Sequence, residues 1–240
     1  MLQKKGMVPE LINLVREVQN SEIFKDYILA GGTALTLQLG HRTSTDIDLF
    51  TTKKHNMFQI LNYFEKNYKE YKESAGDSEF IRVFVNKIKI EMVSDEHKII
   101  EKPKQDEGIK YFGINEIAAM KLRAVMGRTE ARDFIDIAYL LKEMSLKRMF
   151  ELYKEKYETI SPAYLKRTLL EKSKSIKDGE WLVGIKMIRN DIDIKDVCNI
   201  IKKEIDIYNE DVGIGKKKIK KEKDVTSKFF KDDKKNKSGR

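Results

Sequence analysis

The chain has 240 residues, 40% of them hydrophobic and 36% charged, which provides apolar material for one large domain or two small ones and excludes a wholly disordered chain. A single cysteine, Cys198, excludes a disulfide framework. No apolar run nears the roughly 20 residues of a membrane helix, and MLQKKGMVPE lacks a signal core, so the expected place is the cytoplasm, away from membranes.

The net charge of +9 is uneven: residues 216–240 hold twelve Lys and Arg against four Asp and Glu, so this segment carries +8. In chain order, Leu11, Leu14, Val15 and Val18 recur at helical spacing and predict an amphipathic helix over residues 7–20. Tyr27 to Ala30 reads as a short buried strand that breaks at Gly31-Gly32, where missing β-carbons let backbone N–H groups approach a ligand. Thr33 is the expected cap of a helix that runs through Leu35, Leu37 and Leu39 to Gly40. The next strand holds Asp46, Ile47, Asp48, Leu49 and Phe50. Alternation sends Asp46 and Asp48 to one face and Ile47 and Leu49 into the core. Two anions side by side repel unless a positive group lies between them, and Mg²⁺ beside a phosphate-cradling glycine turn is the natural candidate.

Phe58, Ile60, Leu61, Tyr63, Phe64 and Tyr68 predict a second helix over residues 56–71, with that stripe as core. A hairpin follows: FIRVFV, the turn Asn86-Lys87, then IKIEMV. Ile88, Ile90 and Met92 share one face of its second arm and leave Glu91 on the other. Pairing of this arm beside the Asp46/Asp48 strand brings three acids together, enough for two Mg²⁺ ions. Taken alone, Glu91 reads equally as an exposed strand residue paired with Lys89 or Arg82.

Residues 94–113 read as a polar connection with an extra hairpin ending at Tyr111-Phe112. Asn115 is the expected cap of INEIAAMKLRAVMG, and Thr129 that of EARDFIDIAYLLKEM. Lys121 stands out in an apolar helix segment. It is either a snorkelling lysine or a cation that neutralises phosphate charge. Arg128 and Arg132, at a helix junction, are candidate phosphate clamps, and Asp133 and Asp136 share one helical flank. Beyond Ser145 the chain reads as helical, with Ser161-Pro162 opening one helix and another running from about Asp193 to Tyr208. His41, His55 and His97 show no metal spacing and are expected to be ordinary surface or capping residues. The basic tail reads either as a solvated segment or as a contact to nucleic-acid phosphates, with Phe229-Phe230 as a docking anchor or a base-stacking pair.

GGTAL at 31–35, RTSTDIDLF at 42–50, and K-L-R followed by RTEARDFIDI at 128–137 resemble the AbiEii/AbiGii toxin branch of the minimal nucleotidyltransferases, relatives of the DNA polymerase β superfamily. The resemblance implies an α+β nucleotidyltransferase fold, a small mixed sheet flanked by helices. It implies a nucleotidyltransferase domain over 1–144, a helical C-terminal domain over 145–212 and a basic tail over 213–240. It further implies transfer of a nucleoside monophosphate from an NTP to an acceptor hydroxyl, with a tRNA 3′ end as acceptor and a separately encoded antitoxin as partner. Gly31, Gly32 and Thr33 match the phosphate motif, Ser44, Asp46 and Asp48 the metal motif, and Lys121 and Asp136 the later catalytic and structural motifs. The alternatives are a catalytically idle binding module on the same fold, or a transferase acting on a protein or aminoglycoside.

Overall fold

Helix α1 (Pro9–Asn20) opens with proline at its first turn and buries Leu11, Leu14, Val15 and Val18, as their spacing requires. In this computed structural model residues 2–158 and 161–213 are described, so the expectations for the tail after Gly213, including Phe229-Phe230, lie outside the described residues. Strand β1 (Ile28–Leu29) is followed at once by helix α2 (Gly31–Leu39), which ends on Gly40 in the left-handed region. Strand β2 (Ile47–Thr51) places Ile47 and Leu49 fully in the core. Helix α3 (Met57–Asn67) is capped by the Asn56 side chain, which accepts from the Gln59 N–H.

The hairpin of β4 (Phe80–Val85) and β5 (Ile88–Ser94) turns at Asn86 and Lys87, both at positive φ, the signature of a two-residue hairpin turn. Before it comes a strand that the sequence does not announce, β3 (Tyr71–Gly76). The helix expected to reach residue 71 ends at Asn67 instead. Strand β3 is an edge strand with almost every residue exposed, so it has no apolar alternation to read. Phe58 also departs from expectation: it is 80% exposed, while Ile60 and Phe64 carry the buried stripe. The expected extra hairpin is β6 (Lys104–Asp106) and β7 (Ile109–Tyr111), turning at Glu107-Gly108.

These strands form one seven-stranded mixed sheet in the order β3-β4-β5-β2-β1-β7-β6. The central pair, β2 and β5, is parallel and sets Asp48 opposite Glu91, while β1 runs antiparallel to β2. Helices α4 (Ile114–Gly127) and α5 (Ala131–Glu143) follow. Their starts differ from expectation: Gly113 and Glu130 occupy the cap positions, without side-chain capping. The Asn115 amide instead donates to Glu101 at 3.1 Å.

Helices α6 (Leu146–Tyr157), α7 (Pro162–Ser175) and α8 (Val197–Asp211) complete the described chain, with Ser145 and Ser161 capping the first two. One hydrophobic core takes in residues on both sides of position 144, from Leu11 and Leu29 through Leu122 and Ile137 to Met149, Leu169 and Ile201. A buried ion pair, Lys156 Nζ to Glu116 Oε1 at 2.7 Å, ties α6 to α4. Among the described residues no helix is long and apolar enough to cross a membrane.

Candidate active site

The turn from β1 into α2 depends on Gly31, whose φ of 64° is in the left-handed region. A β-carbon there would overlap the Asp48 carboxylate, and one on Gly32 would overlap the Arg42 guanidinium. Both glycines therefore exist for close approach, and the start of α2 has no side-chain cap. Thr33, expected as that cap, is instead 1% exposed inside the helix. Its hydroxyl donates to the Asp46 carbonyl and lies 2.8 Å from the Ser44 hydroxyl, so it fixes the loop that carries the metal motif.

Around this turn lies a cleft of about 340 Å³. It is lined by Gly31, Gly32, Ser44, Asp46, Asp48, Glu91, Lys121, Arg128 and Arg132, nine of the eleven residues singled out from the sequence. Thr33 lies behind one wall. Asp136 is fully buried beneath the cleft and does not line it, so its part in the site is to position other groups.

The helix that holds Asp136 organises a chain of charges. Asp136 accepts from Arg42 Nε at 2.6 Å and Nη2 at 2.8 Å, pairs with Lys121 Nζ at 2.6 Å, and lies 2.8 Å from His41 Nε2. Lys121 continues to Asp133 at 2.8 Å, and Arg128 grips Asp133 at 2.7 Å. Lys121 is therefore no snorkelling lysine; it is 5% exposed and neutralised by two aspartates on α5. Burial alone would raise the Asp136 pKa, but Arg42 and Lys121 outweigh it and hold the carboxyl well below the ordinary range. Burial likewise opposes the charge on Lys121, and Asp133 and Asp136 overcome it, so its pKa is raised.

Two histidines depart from expectation. His41 is fully buried, and burial lowers its pKa despite Asp136 beside it. A neutral ring donating through Nε2 leaves Nδ1 as an acceptor, and Nδ1 has no hydrogen-bond partner among the described residues. His55 is buried too, 2.7 Å from the Tyr27 hydroxyl. His97 lies in an exposed pair with Asp95.

The opposite wall is acidic. Asp46, Asp48 and Glu91 all line the cleft: the β2–β5 register places Asp48 and Glu91, while Asp46, expected within the strand, immediately precedes it. Asp48 forms no side-chain hydrogen bond or ion pair with any described residue. Its pKa is pushed up to about 6, first by burial and then by the negative charge of Glu91. The other two acids are held by cations: Lys89 at 3.0 Å and Arg132 at 3.4 Å from Asp46, Arg82 at 2.6 Å from Glu91. The pairing of Glu91 with Arg82 and Lys89 that the sequence offers as its plain reading is thus present together with its place in the cleft.

Carboxylate oxygens of three acids beside a glycine turn are the donor type that Mg²⁺ takes, and Asp48, without an ion pair among the described residues, fits a cation. Even so, among the described residues no group of three His, Cys, Asp or Glu is arranged to hold a metal ion as it stands. Lysine and arginine side chains supply positive partners to Asp46 and Glu91, but not to Asp48.

Sequence reasoning missed further contributors to the cleft, and of Lys89 it saw only the contact with Glu91. Arg42 sits in a loop with no periodicity, Lys89 looks like any strand lysine, and Glu180, Val183, Gly184 and Ile185 close the cleft from the helical half. The last group is fixed by pairing with the metal-motif loop, through the Thr43 N–H to the Lys186 carbonyl at 2.8 Å and the Ile188 N–H to the His41 carbonyl at 2.9 Å.

The cleft thus joins a glycine turn at a helix start, buried cations on one side and carboxylates from adjacent parallel strands on the other. Residues 13–203 match the family described as the nucleotidyl transferase AbiEii toxin of type IV toxin–antitoxin systems, and the chain belongs to that family. It is a nucleotidyltransferase, and the match takes in much of the helical half. An uncharacterized protein of Aquifex aeolicus (strain VF5) is 30% identical over 162 residues, spanning 65% of this chain and 78% of that one. The fold is similar to that of JHP933 from Helicobacter pylori, at a TM-score of 0.52 and 18% identity, covering 90% of this chain and 99% of that one. It is also similar to a candidate nucleotidyltransferase from H. pylori, at 0.51 and 19%, covering 84% and 92%.

Proposed function

We propose that this nucleotidyltransferase moves a nucleoside monophosphate from an NTP to the 3′-terminal hydroxyl of a tRNA, releasing pyrophosphate, and that it acts in the cytoplasm as a toxin restrained by its antitoxin. One observation carries the reading: the β2–β5 register sets Glu91 beside Asp48 in the cleft that also holds Gly31, Gly32 and Lys121. Gly31, Gly32 and Ser44 cradle the phosphates, while Lys121, Arg128 and Arg132 offset charge developing on the transferred and leaving groups. Asp46, Asp48 and Glu91 would hold two Mg²⁺ ions. When bound, the metal lowers the pKa of the acceptor hydroxyl and neutralises pyrophosphate. The tRNA acceptor draws support from the charge of residues 216–240, which suits a phosphate backbone.

Incubation with each labelled NTP, Mg²⁺ and total RNA tests the proposal. Label should enter tRNA with the wild type and not with Asp46→Asn/Asp48→Asn or in EDTA. Absence of label from all four NTPs, with protein and aminoglycoside acceptors supplied beside the RNA, would overturn the transfer reading. Label on protein or on an aminoglycoside would replace the acceptor and keep the enzyme.

A further inference from the structure

Lys89 and Glu91 are two residues apart on one face of β5, and the strand register places Glu91 beside Asp48. The Lys89 ammonium lies 3.0 Å from Asp46 Oδ2 and 3.4 Å from Glu91 Oε1, and so spans two of the three cleft acids. The arginines are placed differently. Arg82 holds Glu91 through both Nε at 2.7 Å and Nη2 at 2.6 Å, and Arg132 touches Asp46 at 3.4 Å. Among the described residues Lys89 is the cation in contact with both Asp46 and Glu91.

We propose that Lys89 is a built-in counter-ion, occupying the space between Asp46 and Glu91 in the metal-free protein and giving it up to a divalent cation. The proposal rests on the metal-binding reading above. Three carboxylates in one cleft repel one another, and a protein that must fold before it meets metal needs that repulsion offset. A lysine suits a temporary partner: its ammonium is a strongly hydrated point charge on a flexible stem, without the two-pronged fork that locks arginine to a carboxylate. Its side chain is 22% exposed, so it has a path outward. A doubly charged, oxygen-seeking ion then competes with a single charge for the same oxygens. The displaced ammonium remains at the cleft that receives a polyphosphate, which couples metal loading to substrate capture.

The test is titration of Mn²⁺ by calorimetry into the full chain and its Lys89→Met, Lys87→Met and Asp46→Asn variants, with melting followed in EDTA and in Mn²⁺. Lys87 lies on the turn of the same hairpin and serves as the charge control. Lys89→Met should bind Mn²⁺ about tenfold more tightly, because a nearby competing charge is gone. It should melt lower than wild type in EDTA and higher in saturating Mn²⁺, with Lys87→Met unchanged in all three. If Lys89→Met fails to fold, Lys89→Gln gives the same comparison. Wild-type binding that depends on Asp46 but is unaffected by loss of Lys89 overturns the counter-ion role alone. Mn²⁺ binding that is absent, or indifferent to Asp46→Asn, overturns the metal reading and this proposal with it.

Discussion

Asp48 shows how much one side chain can depend on its neighbours. The strand pattern places it on the cleft face, but its pKa of about 6 comes from burial and from Glu91 across the β2–β5 pair. A carboxyl whose folded pKa lies above its ordinary value favours the folded state below pH 4, and that contribution is lost as pH rises through about 6. The metal-free protein is therefore expected to lose stability between pH 4 and 7 on account of this residue, and Asp48→Asn is expected not to. In urea denaturation with EDTA, the variant should match wild type near pH 4 and exceed it by up to about 3 kcal/mol at pH 8. A difference that stays flat with pH would mean that Asp48 is not held in the repelled state. Glu91 was legible at this scale because alternation along IKIEMV needs only the sequence. Lys89 was legible only as a partner of Glu91, because its contact with Asp46 joins residues 43 apart in the chain.

At the scale of elements, α5 works as a ruler of charge. Asp133 and Asp136, one turn apart, hold Arg42 from the metal-motif loop, Lys121 from α4 and Arg128 from the α4–α5 junction. The helical period made their shared flank readable, but their partners had to be brought in by packing. Asp136→Asn would leave Arg42 and Lys121 buried without their common counter-charge, at a cost of about 3–5 kcal/mol. The expected result is a fall in urea midpoint at neutral pH and loss of nucleotide transfer, since the Lys121 wall and the Ser44–Asp46 loop would both shift. Because Asp136 titrates well below the ordinary range, its contribution is present above pH 4 and is lost only as pH falls through that lower value. An unchanged midpoint would show that the network does not hold these elements together. The misread caps at Thr33, Asn115 and Thr129 belong to the same scale. A cap-type residue near a helix start is a local signal, and each of these helices begins where the chain turns in three dimensions.

For the whole molecule, the question is whether the site belongs to the first 144 residues. The composition of the later segment, helical and without chemical motifs, suggested a separate supporting domain. The structure runs one core across position 144, and the cleft takes Glu180, Val183, Gly184 and Ile185 from the later part. A fragment ending at Met144 would expose the apolar residues of α4 that face α6 and leave Glu116 without Lys156. Such a fragment is expected to bind ANS and to lack a cooperative melting transition. Cooperative melting of the 1–144 fragment would support the two-domain division.

The sequence by itself determined the glycine turn, the acids that share a strand face and the family to which the chain belongs. These are properties of neighbouring residues, where period 2, period 3.6 and the special backbone of glycine apply directly. Only the tertiary structure decided that Arg42 lines the cleft and Asp136 lies beneath it, that Lys89 stands between the acids, and that Glu180, Val183, Gly184 and Ile185 form a wall. Each of those depends on segments tens of residues apart meeting at one point, and charges interact through space rather than along the chain.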